Sequence, residues 1–514
     1  MKIKLFNFFN IENSEIELSP IMIFCGDNGS GKTHLVKILT TINEFFLSRE
    51  IPDLTLSELE KFNYIFNMQT MNNGLNMYWK KGNLDDEFDE EVLFIEEESK
   101  SIGDLEFKFN IDGENLVEFY DDIELKMNEL LNGSLPKILK KAYSDDEYIN
   151  KLSDVKLEIL HKEPLEIHFF IRGTSDFECT IEVRSRNLVS RFGLSILGGF
   201  SEDEPEIADY YIEESTRYAM QIIMKHIYEI NLFPSHIATN RKKGMDYAEK
   251  FYYLPASREA YQRDLALFAS KKENNKLMVS RYLVDEDGNK SNNLNSIDPF
   301  IEKYVDEILR LIAIKSNKKL DSKTKLFVEY LQNIFLKAEI ISSPEGDIKY
   351  RLPDNSLISA NMASSLQNEY AILKILIEKV LNPNIILEEP ESHLSISNSV
   401  KLIQYLLAFQ EHSSNLLWLT THNNFIGDAL NNIIMISKLD KERQNIYLEK
   451  LNLNNLIEEF NGNFISKINA YLINGNKIQI LPKTSYGVDF DIFNKQINDF
   501  LDITTELQWE LENN

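Results

Sequence analysis

Cysteine is nearly missing from this chain: Cys25 and Cys179 are the only two in 514 residues. Two thiols cannot form the disulfide framework of a small secreted domain, and a reducing cytoplasm is the expected setting. Long apolar runs are missing too. No stretch reaches the roughly 18–20 residues that a membrane span needs, so no membrane partner is expected. The opening Met1–Leu18 interrupts its apolar positions with charged and amide side chains, unlike a signal-peptide core. The eight histidines are scattered, with no Cys/His spacing that reads as a zinc site. Internal repeats and sustained heptads are absent, which argues against solenoids and long coiled-coil arms. Positive charge is scarce, and the net charge is -27. A field of that sign opposes approach of a nucleic-acid backbone. Short basic clusters (Arg241-Lys242-Lys243, Lys271-Lys272 and Lys318-Lys319) leave DNA binding open locally, although solvated loops explain them more simply. Nine carboxylates between Asp85 and Glu98 read either as a solvated loop or as a docking surface for a basic partner.

The length exceeds what one compact core usually holds, so two or three structural units are expected. Lys2–Phe6 and Glu15–Leu18 alternate with period two, as half-buried strands do. Ile21–Cys25 is continuously apolar, as a central strand should be. The spacing of Leu35, Ile38, Leu39, Ile42 and Phe45-Phe46 predicts a helix with its apolar face inward. The middle of the chain mixes acidic helices with short strands such as Leu165–Phe169, then two amphipathic helices near 298–314 and 322–337. A hairpin is expected from Ala338 to Leu352, turning at Pro344-Glu345-Gly346-Asp347. Leu366–Val380 reads as helix. Asn384–Leu387, Leu416–Thr420 and Ile433–Ile436 read as buried strands, and strands separated by helices imply a parallel α/β sheet.

The chemistry sits in three segments. Gly26-Asp27-Asn28-Gly29-Ser30-Gly31-Lys32-Thr33 matches the phosphate-loop pattern G-x-x-x-x-G-K-[ST] in full, between a buried strand and a helix. Glycines allow backbone angles that aim successive N–H groups at phosphate oxygens, and the helix adds its positive N-terminal end. Lys32 is expected on the β- and γ-phosphates and Thr33 on Mg²⁺, which makes ATP with Mg²⁺ the expected ligand pair. Ile385-Ile386-Leu387-Glu388-Glu389-Pro390 reads as a Walker B strand. Glu388 is expected to hold the metal, and Glu389 to orient or deprotonate the attacking water. His422 follows the next strand, 34 residues after Glu388, where it either contacts the γ-phosphate or serves packing.

Together, GDNGSGKT, IILEEPESHLS and LTTHNNF resemble the ABC-type ATPases related to the overcoming-lysogenisation-defect proteins, relatives of the RecF and SMC class. Glu388-Glu389-Pro390-Glu391 in place of Asp-Glu-Pro is similar to that branch, as is Tyr253-Leu254-Pro255-Ala256-Ser257-Arg258. ATPases of bacterial anti-phage systems of the Septu and PARIS types belong to the same broad group. The resemblance implies an α/β fold: an ABC-type head with a large mixed, partly helical insertion and a small C-terminal appendage. Residues 1–50 and 331–440 would form the head, with the segment near 253–258 packing back on it; 51–330 would be the insertion and 441–514 the appendage. It also implies that heads pair around ATP in a homodimer or higher homo-oligomer. The segment that completes a partner's site is best matched by Ser364, Ser365 and Gln367, which lack the usual glycines and read equally as a helix cap. Arg258 lies near the nucleotide by resemblance, or in a surface salt bridge. Ser392-His393-Leu394-Ser395 matches the D-loop, and no Q-loop glutamine is identified. Asp489-Phe490-Asp491 resembles half of a Toprim nuclease motif, but no Glu–Gly partner segment precedes it.

The implied function is a slow ATPase acting as sensor or scaffold of a bacterial anti-phage defence system, controlling a separate effector protein. The alternatives are a RecF/SMC-like DNA-maintenance ATPase and a non-hydrolysing ATP-gated binding module. From the charge alone, the purified chain is expected to bind random duplex DNA more weakly than micromolar at physiological salt. Fluorescence anisotropy across a salt series checks this, and a salt-sensitive sub-micromolar affinity would contradict it.

Overall fold

The structure, a computed structural model, describes residues 1–9, 11–47, 67–71, 76–80, 105–111, 115–143, 152, 154–173, 177–186, 188–196, 220–232, 251–256, 299–313, 320–342 and 348–490. The chain divides into two compact units, one made of 1–2, 45–134 and 156–245, the other of 3–44, 135–155 and 246–514.

The second unit is built on a six-stranded sheet. Its elements in chain order are β1 (Lys2–Phe6), β2 (Ser14–Glu17), β3 (Ile21–Cys25), α1 (Lys32–Leu47), β4 (Phe251–Leu254), α2 (Pro299–Ala313), α3 (Ser322–Tyr330), β5 (Glu339–Ser342), β6 (Ile348–Arg351), β7 (Leu357–Ser359), α4 (Ser365–Lys379), β8 (Asn384–Glu388), α5 (Ile396–Ser413), β9 (Leu417–Thr421), α6 (Asn424–Ser437), α7 (Lys441–Lys450), β10 (Ile468–Asn474) and β11 (Lys477–Ile480). The sheet order is β4-β8-β9-β3-β10-β11. The first five strands of that order run parallel, and β11 closes the edge antiparallel to β10.

Every residue of β3, β8 and β9 is buried, as strands covered on both faces must be. Successive side chains point to opposite faces. Ile21, Ile23 and Cys25 join a large apolar core with α2 to α6, while Met22 and Phe24 are buried on the other face. On that other face Phe24 stacks against Tyr471, and Phe251 lies against Trp418. The Trp418 indole N–H donates to the Ser19 carbonyl at 3.2 Å, so the largest fully buried side chain among the described residues carries no unpaired polar atom.

Two expectations change. Ile433–Ile436 is not a strand but the last turns of α6. Ile426, Ala429, Leu430, Ile433 and Ile434 are buried at helical spacing, Met435 faces outward, and Asn423 caps the start by accepting from the Phe425 N–H. A four-residue apolar run has the same letters in either structure, and the longer period decides. The place expected for that strand is taken by β10, from the stretch 441–514 expected as an appendage. It pairs with β3 in register, Ile468 opposite Ile21 through Leu472 opposite Cys25. Asn469 concealed it by interrupting the apolar run, yet its side chain is buried and donates to the Glu17 carbonyl.

The paired strands β5 and β6 form the expected hairpin, extended by β7; residues 343–347, which include the whole of the expected turn, lie outside the described residues. The helix α3 continues as a π-helical stretch, Leu331–Leu336, ending at left-handed Lys337. The first unit holds an antiparallel sheet of Val189–Ile196, Phe177–Arg184, Leu165–Gly173 and Leu105–Ile111, in that order. A separate pair, Asn67–Met71 with Asn76–Lys80, and the helix 220–232 also belong to it. The acidic run 85–98 and the three basic clusters lie outside the described residues. Among the described residues no helix is long and apolar enough to cross a membrane.

Removing the indole of Trp418 empties the layer between β8 and β3 and strands the Ser19 carbonyl. Trp418→Ala should therefore cost about 3–5 kcal/mol of stability. Urea denaturation followed by circular dichroism measures it; a loss below about 1 kcal/mol would show that this layer is not the packed core described.

Candidate functional site

Parallel pairing places the C-terminal ends of β3, β8 and β9 at one edge of the sheet, where open α/β sheets bind ligands. Glu388 lies opposite Thr420, which lies opposite Phe24; one step on, Thr421 lies opposite Cys25. The chain leaving β3 is the glycine-rich turn, the chain leaving β8 carries Glu389 to Glu391, and the chain leaving β9 carries His422.

Gly26, Gly29 and Gly31 have φ of 150°, 78° and 98°, a region where side chains are disfavoured. Gly26 is the most constrained, because a Cβ there would lie 2.3 Å from the Ile473 carbonyl oxygen of β10. Asp27, Asn28 and Gly29 are exposed at the turn's tip. Ser30 closes the turn with its N–H on the Asp27 carbonyl, and its hydroxyl oxygen is buried with no hydrogen-bond partner among the described residues. Lys32 opens α1 and is 5% exposed. Its ammonium donates to the Gly26 and Asp27 carbonyls at 2.7 and 2.8 Å, which holds a positive charge across the turn. Burial pulls its pKa down, and the carboxylates of Glu389, Glu391 and Asp27 pull it back.

Glu388 is buried at the end of β8. Burial raises its pKa, and hydrogen bonds from the Thr33 and Tyr253 hydroxyls and the Ala256 N–H, with Lys37 nearby, oppose that rise. Tyr253 reaches it because β4 runs beside β8, Tyr253 opposite Ile386. Glu389 follows with a left-handed backbone, φ 41°, rare for a residue with a side chain. Its N–H donates to the Thr420 carbonyl at 3.0 Å, and its carboxylate accepts from the Ser392 hydroxyl at 3.1 Å. Such strain of about 1–3 kcal/mol persists only where the surroundings impose it. Here the β9 carbonyl and Ser392 do so, and they aim the carboxylate at His422, whose Nδ1 is 3.7 Å away.

Glu391 closes the Glu-Glu-Pro-Glu segment, but the motif assigns it no role. It is buried, and its Oε1 accepts from the Thr421 hydroxyl at 2.6 Å and the His422 N–H at 3.1 Å. Burial raises its pKa against those hydrogen bonds. Tyr253, Ser392 and Thr421 likewise stand in segments that carry the resemblance but received no role there, since hydroxyl residues near strand ends have no distinguishing spacing. Cys25 is also buried beside this cluster, and burial pushes its thiol up.

Lys32, Thr33, Glu388, Glu389 and His422 are thus brought to one edge. Ser364, Ser365 and Gln367 are not joined to it by any hydrogen bond among the described residues. They start α4 with a capping box: Ser364 accepts from the Gln367 N–H at 3.2 Å, and the Gln367 amide oxygen accepts from the Ser364 N–H at 3.0 Å. Arg258 lies outside the described residues.

The donor set fits a magnesium nucleotide. A glycine turn of this pattern supplies backbone N–H groups to an anion; here Lys32 lies across it, and the buried Ser30 hydroxyl has no partner among the described residues. The adjoining Thr33 and Glu388 oxygens are the hard ligands that Mg²⁺ takes.

No protein-family model and no curated protein matches the chain. Among solved structures, an SMC head domain from Thermotoga maritima aligns at 10% identity over 94% of this chain and 98% of its own, with a TM-score of 0.27. The recombination mediator protein RecF of the RecFOR pathway aligns at 11% identity over 94% and 97%, with a TM-score of 0.25. Scores this low do not establish a common chain trace.

A side chain at Gly26 must displace either the turn or β10. Gly26→Ala should destabilise the protein by on the order of 1–3 kcal/mol and weaken nucleotide binding, with Gly29→Ala, which meets no atom within 4 Å, milder in both. Denaturation curves and nucleotide titration of the two variants check the order. Equal effects would mean that the contact with Ile473 does not shape the turn.

Proposed function

We propose that the chain is an ABC-type ATPase that binds ATP with Mg²⁺ at the sheet edge and hydrolyses it. The observation that carries this reading is the meeting of a complete phosphate-loop sequence with two consecutive glutamates and a histidine at the ends of three adjacent parallel strands. In this reading Lys32 and the N–H groups of the turn hold the phosphates. Thr33 and Glu388 hold the metal, which neutralises phosphate charge when bound. Glu389 takes a proton from the attacking water, and His422 sits where it can meet the γ-phosphate.

At the finer level, the protein works as the nucleotide-held sensor or scaffold of an anti-phage system, with a separate effector protein. The Glu-Glu-Pro-Glu segment and Tyr253–Ala256 beside it support that assignment, because both resemble the same branch and both touch Glu388 or its turn. A RecF/SMC-like role on DNA would use the same site, and the net charge of -27 weighs against it. Pairing of two heads, with Ser364, Ser365 and Gln367 of one completing the site of the other, belongs to the same proposal. Side chains where glycines usually stand would weaken transition-state contacts. A missing preorganised donor costs roughly 100- to 1000-fold in rate, which makes the ATPase slow.

Lys32→Ala should abolish tight nucleotide binding. Glu389→Gln should keep it and lower turnover by about 100-fold or more, leaving ATP bound and the assembly at twice the monomer mass or higher. Equilibrium binding, phosphate release and light scattering test this together. Wild-type turnover in the Glu389→Gln variant would remove Glu389 as the base, and unchanged affinity in Lys32→Ala would remove the site.

A further inference from the structure

We propose that Glu391 is a positioning residue for His422: its buried carboxylate ties the turn after β8 to the end of β9 and so sets where the imidazole stands. The functional part of this inference rests on the ATPase reading above, and the structural part does not.

Three contacts converge on one oxygen. Glu391 Oε1 accepts from the Thr421 hydroxyl at 2.6 Å and from the His422 N–H at 3.1 Å, and it lies 3.6 Å from His422 Nδ1. The Thr421 oxygen in turn accepts from the Asn423 N–H at 2.9 Å, and Asn423 caps α6. One carboxylate therefore fixes consecutive residues on the path from β9 into α6. The exposure pattern separates anchor from tool: the Glu391 side chain is 4% exposed and that of His422 is 40%. The ring stands in the open while its backbone is held from inside.

The chemistry of the anchor argues against a purely structural strut. Glu391 Oε2 is buried without a hydrogen-bond partner among the described residues. Burying a carboxylate with one oxygen unsatisfied is costly, and an amide side chain would offer the same acceptor oxygen to both segments without a buried charge. What an amide lacks is negative charge beside a histidine nitrogen. His422 Nδ1 sits between Glu391 Oε1 at 3.6 Å and Glu389 Oε1 at 3.7 Å. Carboxylates at that nitrogen favour its N–H, and the state of one ring nitrogen sets what the other can do. Glu391 fixes the backbone of His422 and biases its tautomer, while Glu389 remains the group assigned to the water.

The test uses the full-length chain and the variants Glu391→Ala, Glu391→Gln, Thr421→Val, His422→Ala and the double variant Glu391→Ala/His422→Ala. In the nucleotide-free protein, amide hydrogen exchange over residues 421–425 should accelerate in Glu391→Ala and more weakly in Thr421→Val, with exchange over 417–420 of β9 unchanged. Glu391→Gln keeps a carbonyl acceptor and should preserve the protection. With ATP, Glu391→Ala should leave nucleotide affinity within about threefold and lower kcat by about 10- to 100-fold, the scale of a misplaced catalytic group. The double variant should be no slower than His422→Ala alone, because the effect passes through that ring. Unchanged exchange over 421–425, multiplying losses in the double variant, or an affinity loss that matches the kcat loss would each overturn the proposal. If Glu391→Ala does not fold, Glu391→Gln and Thr421→Val decide: lowered kcat with retained affinity supports the proposal, and wild-type kcat in both overturns it. If the wild-type chain does not hydrolyse ATP, the ATPase reading fails by itself, and the exchange data alone decide whether Glu391 anchors His422.

Discussion

The parallel register of β8, β9, β3 and β10 is the constraint on which the rest depends. Parallel neighbours end on the same side, so three chain segments far apart in sequence leave the sheet within one another's reach. A one-residue slip of β9 against β8 would take the Thr420 carbonyl from the Glu389 N–H and the Thr421 hydroxyl from Glu391. Burial on both faces of β3, β8 and β9 resists such a slip, because every side chain of those strands has a fixed place in one core layer or the other.

Around that edge the protein concentrates charge it would elsewhere keep in water. Lys32, Glu388 and Glu391 are all buried, with Glu389 half-buried beside them. Each buried charge has hydrogen bonds that offset part of its desolvation, from the turn carbonyls for Lys32, from two hydroxyls and an N–H for Glu388, and from one of each for Glu391. A hydrogen bond to a charged group is worth about 1.5–3 kcal/mol net, less than the cost of burying an isolated ion. Left-handed Glu389 adds backbone strain at the same place. Local cost gathered at one edge of an otherwise well-packed sheet is the physical mark of a working site.

Sequence reasoning reached the parts of this arrangement whose physics is local. The phosphate-loop pattern is legible because its glycines, lysine and threonine act on one another within eight residues, and their backbone angles follow from residue type. The strand Asn384–Glu388 and the glutamates at its end, ambiguous by themselves, are legible because the same chain carries a complete phosphate loop. The reading failed where the deciding partner was distant. Ile433–Ile436 has the letters of a strand and is helix, because its neighbours in space leave one face for burial. The strand Ile468–Asn474 was passed over because Asn469 looks polar until the Glu17 carbonyl is set beside it.

The sequence by itself determined that a glycine-rich turn would follow a buried strand and open a helix, that acids would end a second strand, and that a parallel α/β sheet would carry both. Local propensity and side-chain period are enough for that. Tertiary structure alone decided that β10 completes the sheet, that Tyr253 and Ala256 support Glu388, and that Glu391 holds the segment carrying His422. Those roles depend on hydrogen bonds between residues about 30 to more than 400 positions apart. No spacing rule encodes such pairings, since they exist only once the strands have chosen their neighbours.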